Sequence, residues 1–212
     1  MKTANRFRNV FGITVIFLFF SLFVSCTTEI TLTLKSDDSV DIKFEGGAGA
    51  AFTKMILSAS GTENPGIDTQ AVSYELAKAG CENVKAKSQD SNISISMSDK
   101  KHSSYIFTSG IVNFSDDKKH DTLKTQITRK SLEDFYNSAD EQTRMILDLF
   151  LSPVFNNDYM SEAEYLEMLA SFYGEPAAKE VQDSFVKIVL IGKNGKKEEQ
   201  RIPLVQLLCG TF

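Results

Sequence analysis

The residues able to do acid–base or metal chemistry in this 212-residue chain are few, and their spacing argues against most of it. Both histidines follow a lysine pair, in Lys100-Lys101-His102 and Lys118-Lys119-His120. Imidazoles flanked by two cations are expected as solvated loop side chains rather than as metal ligands or a triad base. Carboxylates gather at Asp37-Asp38, at Asp116-Asp117 and across Glu162, Glu164 and Glu167. They could supply a catalytic dyad or a weak calcium site, but a dyad needs burial or a like-charged neighbour to spread its pKa values. Turns and a solvated helix face account for all three groups. No HExxH, GxSxG, paired CxxC or EF-hand spacing is present. The glycine-rich Gly46-Gly47-Ala48-Gly49 could cradle a phosphate between a strand and a helix. It lacks the last small residue of a dinucleotide fingerprint and the Lys-Ser or Lys-Thr of a P-loop, so a tight turn permitting close packing is expected. Cys81 and Cys209 have no neighbouring histidine or cationic run to make a thiolate nucleophile. No cofactor is implied.

The third cysteine has a different setting. Lys2, Arg6 and Arg8 open the chain with no acid before Cys26, and Val10 to Val24 is almost wholly apolar. That is the pattern of a secretory leader, and its apolar length of roughly 15 residues falls short of the ~20 that cross a bilayer, so removal is expected over retention. Leu22-Phe23-Val24-Ser25-Cys26 resembles the lipobox of bacterial lipoproteins, with Phe23 where leucine is usual, a relaxed arrangement similar to that of spirochaetal lipoproteins. The resemblance implies that Cys26 is thioether-linked to diacylglycerol and that a peptidase cuts on its amino side. It divides the chain into a leader at 1–25, a lipidated cysteine and tether at 26–28, and a single domain at 29–212. The start of that domain, a strand, a Ser-Asp-Asp-Ser turn and a second strand, is similar over about 20 residues to the opening of LppM-type lipoproteins; this likeness carries no function.

Lipidation would hold the protein on a membrane, since each buried methylene contributes about 0.8 kcal/mol and two or three chains anchor where one binds only reversibly. Losing the leader removes three cations, leaving 20 against 28 acids, a formal charge of −8. Such a surface offers no phosphate-tracking groove, so nucleic acid is not expected as a partner, nor is a polybasic membrane footprint. With Cys26 acylated, Cys81 and Cys209 form an even pair in a compartment where a disulfide can persist, and closing that loop would stabilise by about 3–5 kcal/mol. Two buried thiols are the other reading, because the required Cα separation below ~7 Å is not written in sequence.

The elements follow from periodicity. Ile30, Leu32 and Leu34, the turn Ser36-Asp37-Asp38-Ser39, and Val40, Ile42 and Phe44 make a hairpin with one buried face. Ala50 to Leu57 reads as a short helix closing near Gly61, and Asp68 to Ala79 as a second, capped by Gly80. Short apolar runs at Val84–Ala86, Ile93–Met97, Tyr105–Phe107, Ile111–Phe114 and Leu123–Ile127 suggest an antiparallel meander. Capping pairs Ser131/Asp134, Ser138/Glu141 and Ser161/Glu164 open a helical block over about 131–182. Its stripes are Met145, Ile146, Leu149 and Phe150, then Tyr165, Leu166, Leu169, Phe172 and Tyr173, with Val154, Phe155 and Tyr159 packing the connection between them. Phe185–Ile191, the turn Gly192-Lys193-Asn194-Gly195 and Lys197–Leu208 form a last hairpin, with Pro203 marking an edge or bulge. The expected fold is α+β: an antiparallel sheet of N-terminal hairpin, central meander and C-terminal hairpin, with the helical block on one face.

The expected function is that of a membrane-anchored, non-catalytic envelope lipoprotein that binds a protein partner or maintains the envelope. It would sit in the cell envelope on the inner or outer membrane, facing the periplasm. Thr27 gives no acidic retention signal after Cys26, which leans toward the outer membrane where that rule applies. The alternative is a carrier or sensor of a hydrophobic small molecule held between sheet and helices.

Overall fold

The computed structural model describes residues 28–47, 49–51, 53–54, 57, 68–89, 91–117, 120–138, 144, 147–148, 151 and 160–210. The leader with Cys26, the stripe at Met145, Ile146, Leu149 and Phe150, and the connection through Val154, Phe155 and Tyr159 lie outside them. Among the described residues the order is β1 (Thr28–Leu34), β2 (Val40–Gly47), α1 (Thr69–Lys78), β3 (Glu82–Gln89), β4 (Asn92–Asp99), α2 (Tyr105–Thr108), β5 (Val112–Asp117), β6 (His120–Thr125), α3 (Arg129–Ser138), α4 (Glu162–Tyr173), α5 (Glu175–Asp183), β7 (Phe185–Ile191), β8 (Lys197–Pro203) and α6 (Leu204–Cys209).

Six strands form one sheet in the order β3-β4-β2-β1-β7-β8. Every neighbouring pair is antiparallel except β1 and β7, which run parallel with Thr28 opposite Val186. The parallel pair is what joins the two terminal hairpins, and it requires the long crossover from Lys35 to Ser184, which holds β2 to β6 and helices α1 to α5. The architecture is therefore α+β as expected, with a sheet that is mixed but mostly antiparallel.

Strict alternation puts one face inward. Ile30, Leu32 and Leu34 align with Phe44, Ile42 and Val40 on one side and with Ile188 and Leu190 on the other. Phe44 and Ile42 continue to Ile95 and Met97. Helices α3 to α6 cover the β7 side, where Tyr165, Leu169 and Leu207 are fully buried against Val186 and Ile188. The small sheet β5–β6 and α2 cover Leu32, Leu34, Val40 and Ile42, while α1 lays Val72 on Phe44, Ile93 and Ile95. Burying each such side chain contributes about 1.5–3 kcal/mol.

The structure corrects four expectations. Tyr105–Phe107 is a single helical turn, not a strand, because the Asp99 carboxylate gathers the preceding amides and starts a turn at Ser104. The strands after it pair only with each other, so the meander is broken into the β3–β4 hairpin and a separate two-stranded sheet. The last strand stops at Pro203, and Leu204–Cys209 is helix α6, closed by left-handed Gly210. Helix α3 begins at Arg129: Thr128 is its cap, exchanging bonds with Ser131, whose amide donates to Thr128 Oγ1 at 3.1 Å and whose Oγ accepts from the Thr128 amide at 3.0 Å. Ser131 is thus the third helical residue rather than the cap. By contrast Ser161 and Glu164 make the expected reciprocal capping box on α4.

Candidate functional site

Three loops meet at the end of the sheet where β1, β4 and β7 finish. The first is the β1–β2 turn, closed by the Lys35 amide on Ser39 O at 2.9 Å and the Asp38 amide on Lys35 O at 3.2 Å. Asp37 Oδ1 accepts from Ser39 Oγ at 2.6 Å and from the Ser39 amide at 3.3 Å. Those hydrogen bonds hold the Asp37 carboxyl below its ordinary pKa. This geometry forces Asp38 into the left-handed region, φ 65°, which Asp tolerates better than most residues.

The second loop, Lys100–Ser104, is organised by Asp99, whose side chain lies on the inward face of β4 beside Val40 and is fully buried. It accepts from the amides of Lys101 (3.1 Å), Ser103 (3.2 Å) and Ser104 (2.8 Å). Burial works to raise its pKa, but the bonds from Ser104, Ser103 and Lys101 outweigh it and the carboxyl is held below the usual range. The loop carries His102 with φ 50°.

His102 joins the two loops. Its Nε2 lies 2.8 Å from Asp38 O and donates to it, and its ring packs 4.8 Å from the Phe107 centroid and 4.4 Å from that of Phe114. The third loop is the β7–β8 turn, where Lys193 Nζ donates to Asp38 Oδ1. In that turn Gly195, at φ 76°, donates to Gly192 O, and Asn194 Oδ1 accepts from the Lys196 amide at 2.9 Å. Only Gly195 takes positive φ, so the loop is a three-residue hairpin with a left-handed glycine. Lys100–Glu82 (2.7 Å) and Lys35–Asp41 (2.8 Å) ring the knot. The arrangement fixes a polar surface through Asp38, and it holds no nucleophile paired with a base.

His102 is therefore not the solvated loop residue expected: it is half-buried on two aromatic rings. His120 begins β6 opposite Asp117, far along the chain from His102. Glu164 serves the α4 capping box, with Ser161 hydrogen bonds holding its carboxyl low, and Glu167 is exposed. No three His, Cys, Asp or Glu side chains among the described residues could share a metal ion. The glycine turn serves close packing. A Cβ on Gly49 would fall on the Glu180 carboxylate, which accepts from the Ala51 amide at 3.1 Å, and a Cβ on Gly47 would meet the Asn92 side chain. The amide that could have met a phosphate is taken by the chain's own acid.

Cys81 and Cys209 are both free and buried. Cys81 packs beneath β2 and β4, while Cys209 ends α6 in the cluster around Tyr165, so the structure does not join them. Burial, then the charge of Asp99, pushes the Cys81 thiol up to about 11. Burial, then Glu162, pushes Cys209 up to about 12. Neither is a nucleophile near neutral pH. Phe172, assigned by spacing to the core stripe of α4, is instead 76% exposed.

The knot could not be found from sequence as a site, although Asp38 stood in a recognisable turn; Lys193, Asp99 and the aromatic contacts of His102 carry no local signal. No helix among the described residues is long and apolar enough to cross a membrane. No protein-family model, no curated protein and no solved structure matches this chain.

Proposed function

We propose that this chain is a lipid-anchored envelope lipoprotein that is non-catalytic and presents a rigid domain to a protein partner. The observation that supports it is the position of β1. This strand is internal to the sheet, Thr28 is buried at its first position, and only Thr27 separates it from Cys26. An anchor there would be tied directly to the fold, without a flexible stalk. The Asp38–His102–Lys193 knot at the opposite end of β1 supplies a fixed polar surface for the partner. Metabolic labelling with a palmitate analogue tests the anchor: label is expected in the wild type and lost in Cys26→Ala, and equal labelling of both would overturn it.

A carrier of a hydrophobic small molecule is favoured by one feature. Ile30, on the inner face of β1, touches all three apolar clusters yet is only half-buried, while its neighbours Leu32, Phe44 and Ile188 are buried. An apolar fluorescent probe bound in a manner blocked by Ile30→Trp would support that reading.

A further inference from the structure

The strand register ranks surface residues by their distance from the proposed anchor. Glu29, three residues after Cys26, lies in one row across the sheet with Lys187 and Arg201 on one side and Glu45, Ser94 and Lys87 on the other. Strand spacing of about 4.8 Å makes that row about 24 Å wide, with the anchor rising near its middle. Cys26 to Glu29 spans at most about 10 Å, so this end of the sheet cannot leave the bilayer while the anchor is inserted. The turn carrying Asp38 stands beyond the other end of β1, about 20 Å farther along the strand.

The near end also has the right chemistry. Within the row Lys187 is paired with Glu29 at 3.0 Å and Glu45 with Lys43 at 2.8 Å. Lys87 and Arg201 at the two flanks have no carboxylate partner among the described residues, in a mature chain of formal charge −8. Arg201 is exposed, and its guanidinium lies 4.8 Å from the centroid of Phe185. Phe185 pairs with Pro203, two residues nearer the end than Lys187, the partner of Arg201. The cation thus leans from its own register position toward this end of the sheet.

Building on the lipid anchor proposed above, we infer that the domain stands on the phospholipid headgroup layer through this end of the sheet, Arg201 and Lys87 meeting lipid phosphates, with the Asp38 knot held away from the membrane. One cation on each side of a central anchor, Lys87 and Arg201, resists tipping about the tether, which a lone acyl-cysteine does not.

The acylated protein is reconstituted in vesicles of phosphatidylethanolamine and phosphatidylglycerol carrying a headgroup nitroxide, with a fluorophore on Gln89→Cys or on Ser36→Cys. Both positions are exposed, one at each end of the sheet. Intact mass of the vesicle-bound protein reports the anchor separately, so a missing acyl group sinks the anchor and leaves the orientation to be judged on protein acylated chemically at Cys26. Quenching several-fold stronger at position 89 than at 36 is expected, with the contrast at least halved in Lys87→Glu/Arg201→Glu. Equal quenching at both positions, stronger quenching at 36, or none at either in anchored protein overturns the inference. A contrast unchanged by the double substitution overturns the phosphate contact.

Discussion

Asp99 shows what a single buried carboxylate does here. It follows Ile93, Ile95 and Met97 on the buried face of β4, and three amides converge on it. Asp99→Ala leaves those donors without a partner and should cost about 3 kcal/mol in urea unfolding, since bonds to a charged acceptor contribute about 1.5–3 kcal/mol and are not additive. Its folded pKa is depressed, so the stabilisation is complete above the unfolded value near 4 and disappears as pH falls through the folded value. The gap between wild type and variant should accordingly close in acid; a gap that widens in acid contradicts the assignment. The cysteines give a second check. With both thiols buried and raised, native protein should react with a disulfide reagent far more slowly than denatured protein, in which Cys81 and Cys209 both titrate. No thiol titre after denaturation without reductant would mean the pair is bonded. At this scale little was legible: Asp37-Asp38 announced a turn, but His102 read as solvated because Phe114, which it packs on, comes from another element.

The elements were legible wherever periodicity lasted. Alternation placed β1, β2 and β4, the Asn-Gly turn placed β7, and Asp68, Gly80 and the Ser161/Glu164 box bounded α1 and α4 as expected. Failure came where patterns are short. Tyr105–Phe107 is three apolar residues with no period to read, and a buried side chain of β4 decided its conformation. Leu204, Val205, Leu207 and Leu208 did carry helical spacing, hidden because the hairpin strand from Lys197 was carried through Pro203 to Leu208. Leu207→Ala should therefore cost about 3 kcal/mol, within the usual 2–5 for a buried leucine, and Gln206→Ala under about 1 kcal/mol. A strand would bury alternate residues, so a larger loss at position 206 contradicts the helix. Both sheet edges are charged, β3 with Lys85 and Lys87 and β8 with Glu198, Glu199 and Arg201, and Pro203 removes a donor from the latter. These features discourage pairing with another chain.

At the scale of the whole molecule, connectivity was the hidden variable. The two terminal strand groups are present and the central one is split, yet nothing local told that the terminal hairpins would meet through a parallel β1–β7 seam or that β5–β6 would leave the sheet to become part of its cover. That seam makes β1 an internal strand, so an anchor at Cys26 would be coupled directly to the middle of the sheet. On the reading proposed above, the tether at Cys26 would hold the domain upright and leave the knot at the far end of β1 to a partner. The proposed anchor is a matter of the chemistry of one amino terminus, which mass spectrometry of the protein from its native membrane reads directly. The expected result is a mature chain that starts at Cys26 and carries a diacylglyceryl group on its sulfur, with or without an amide-linked acyl chain. An unmodified Cys26 peptide, or a chain still joined to Ser25, would contradict it.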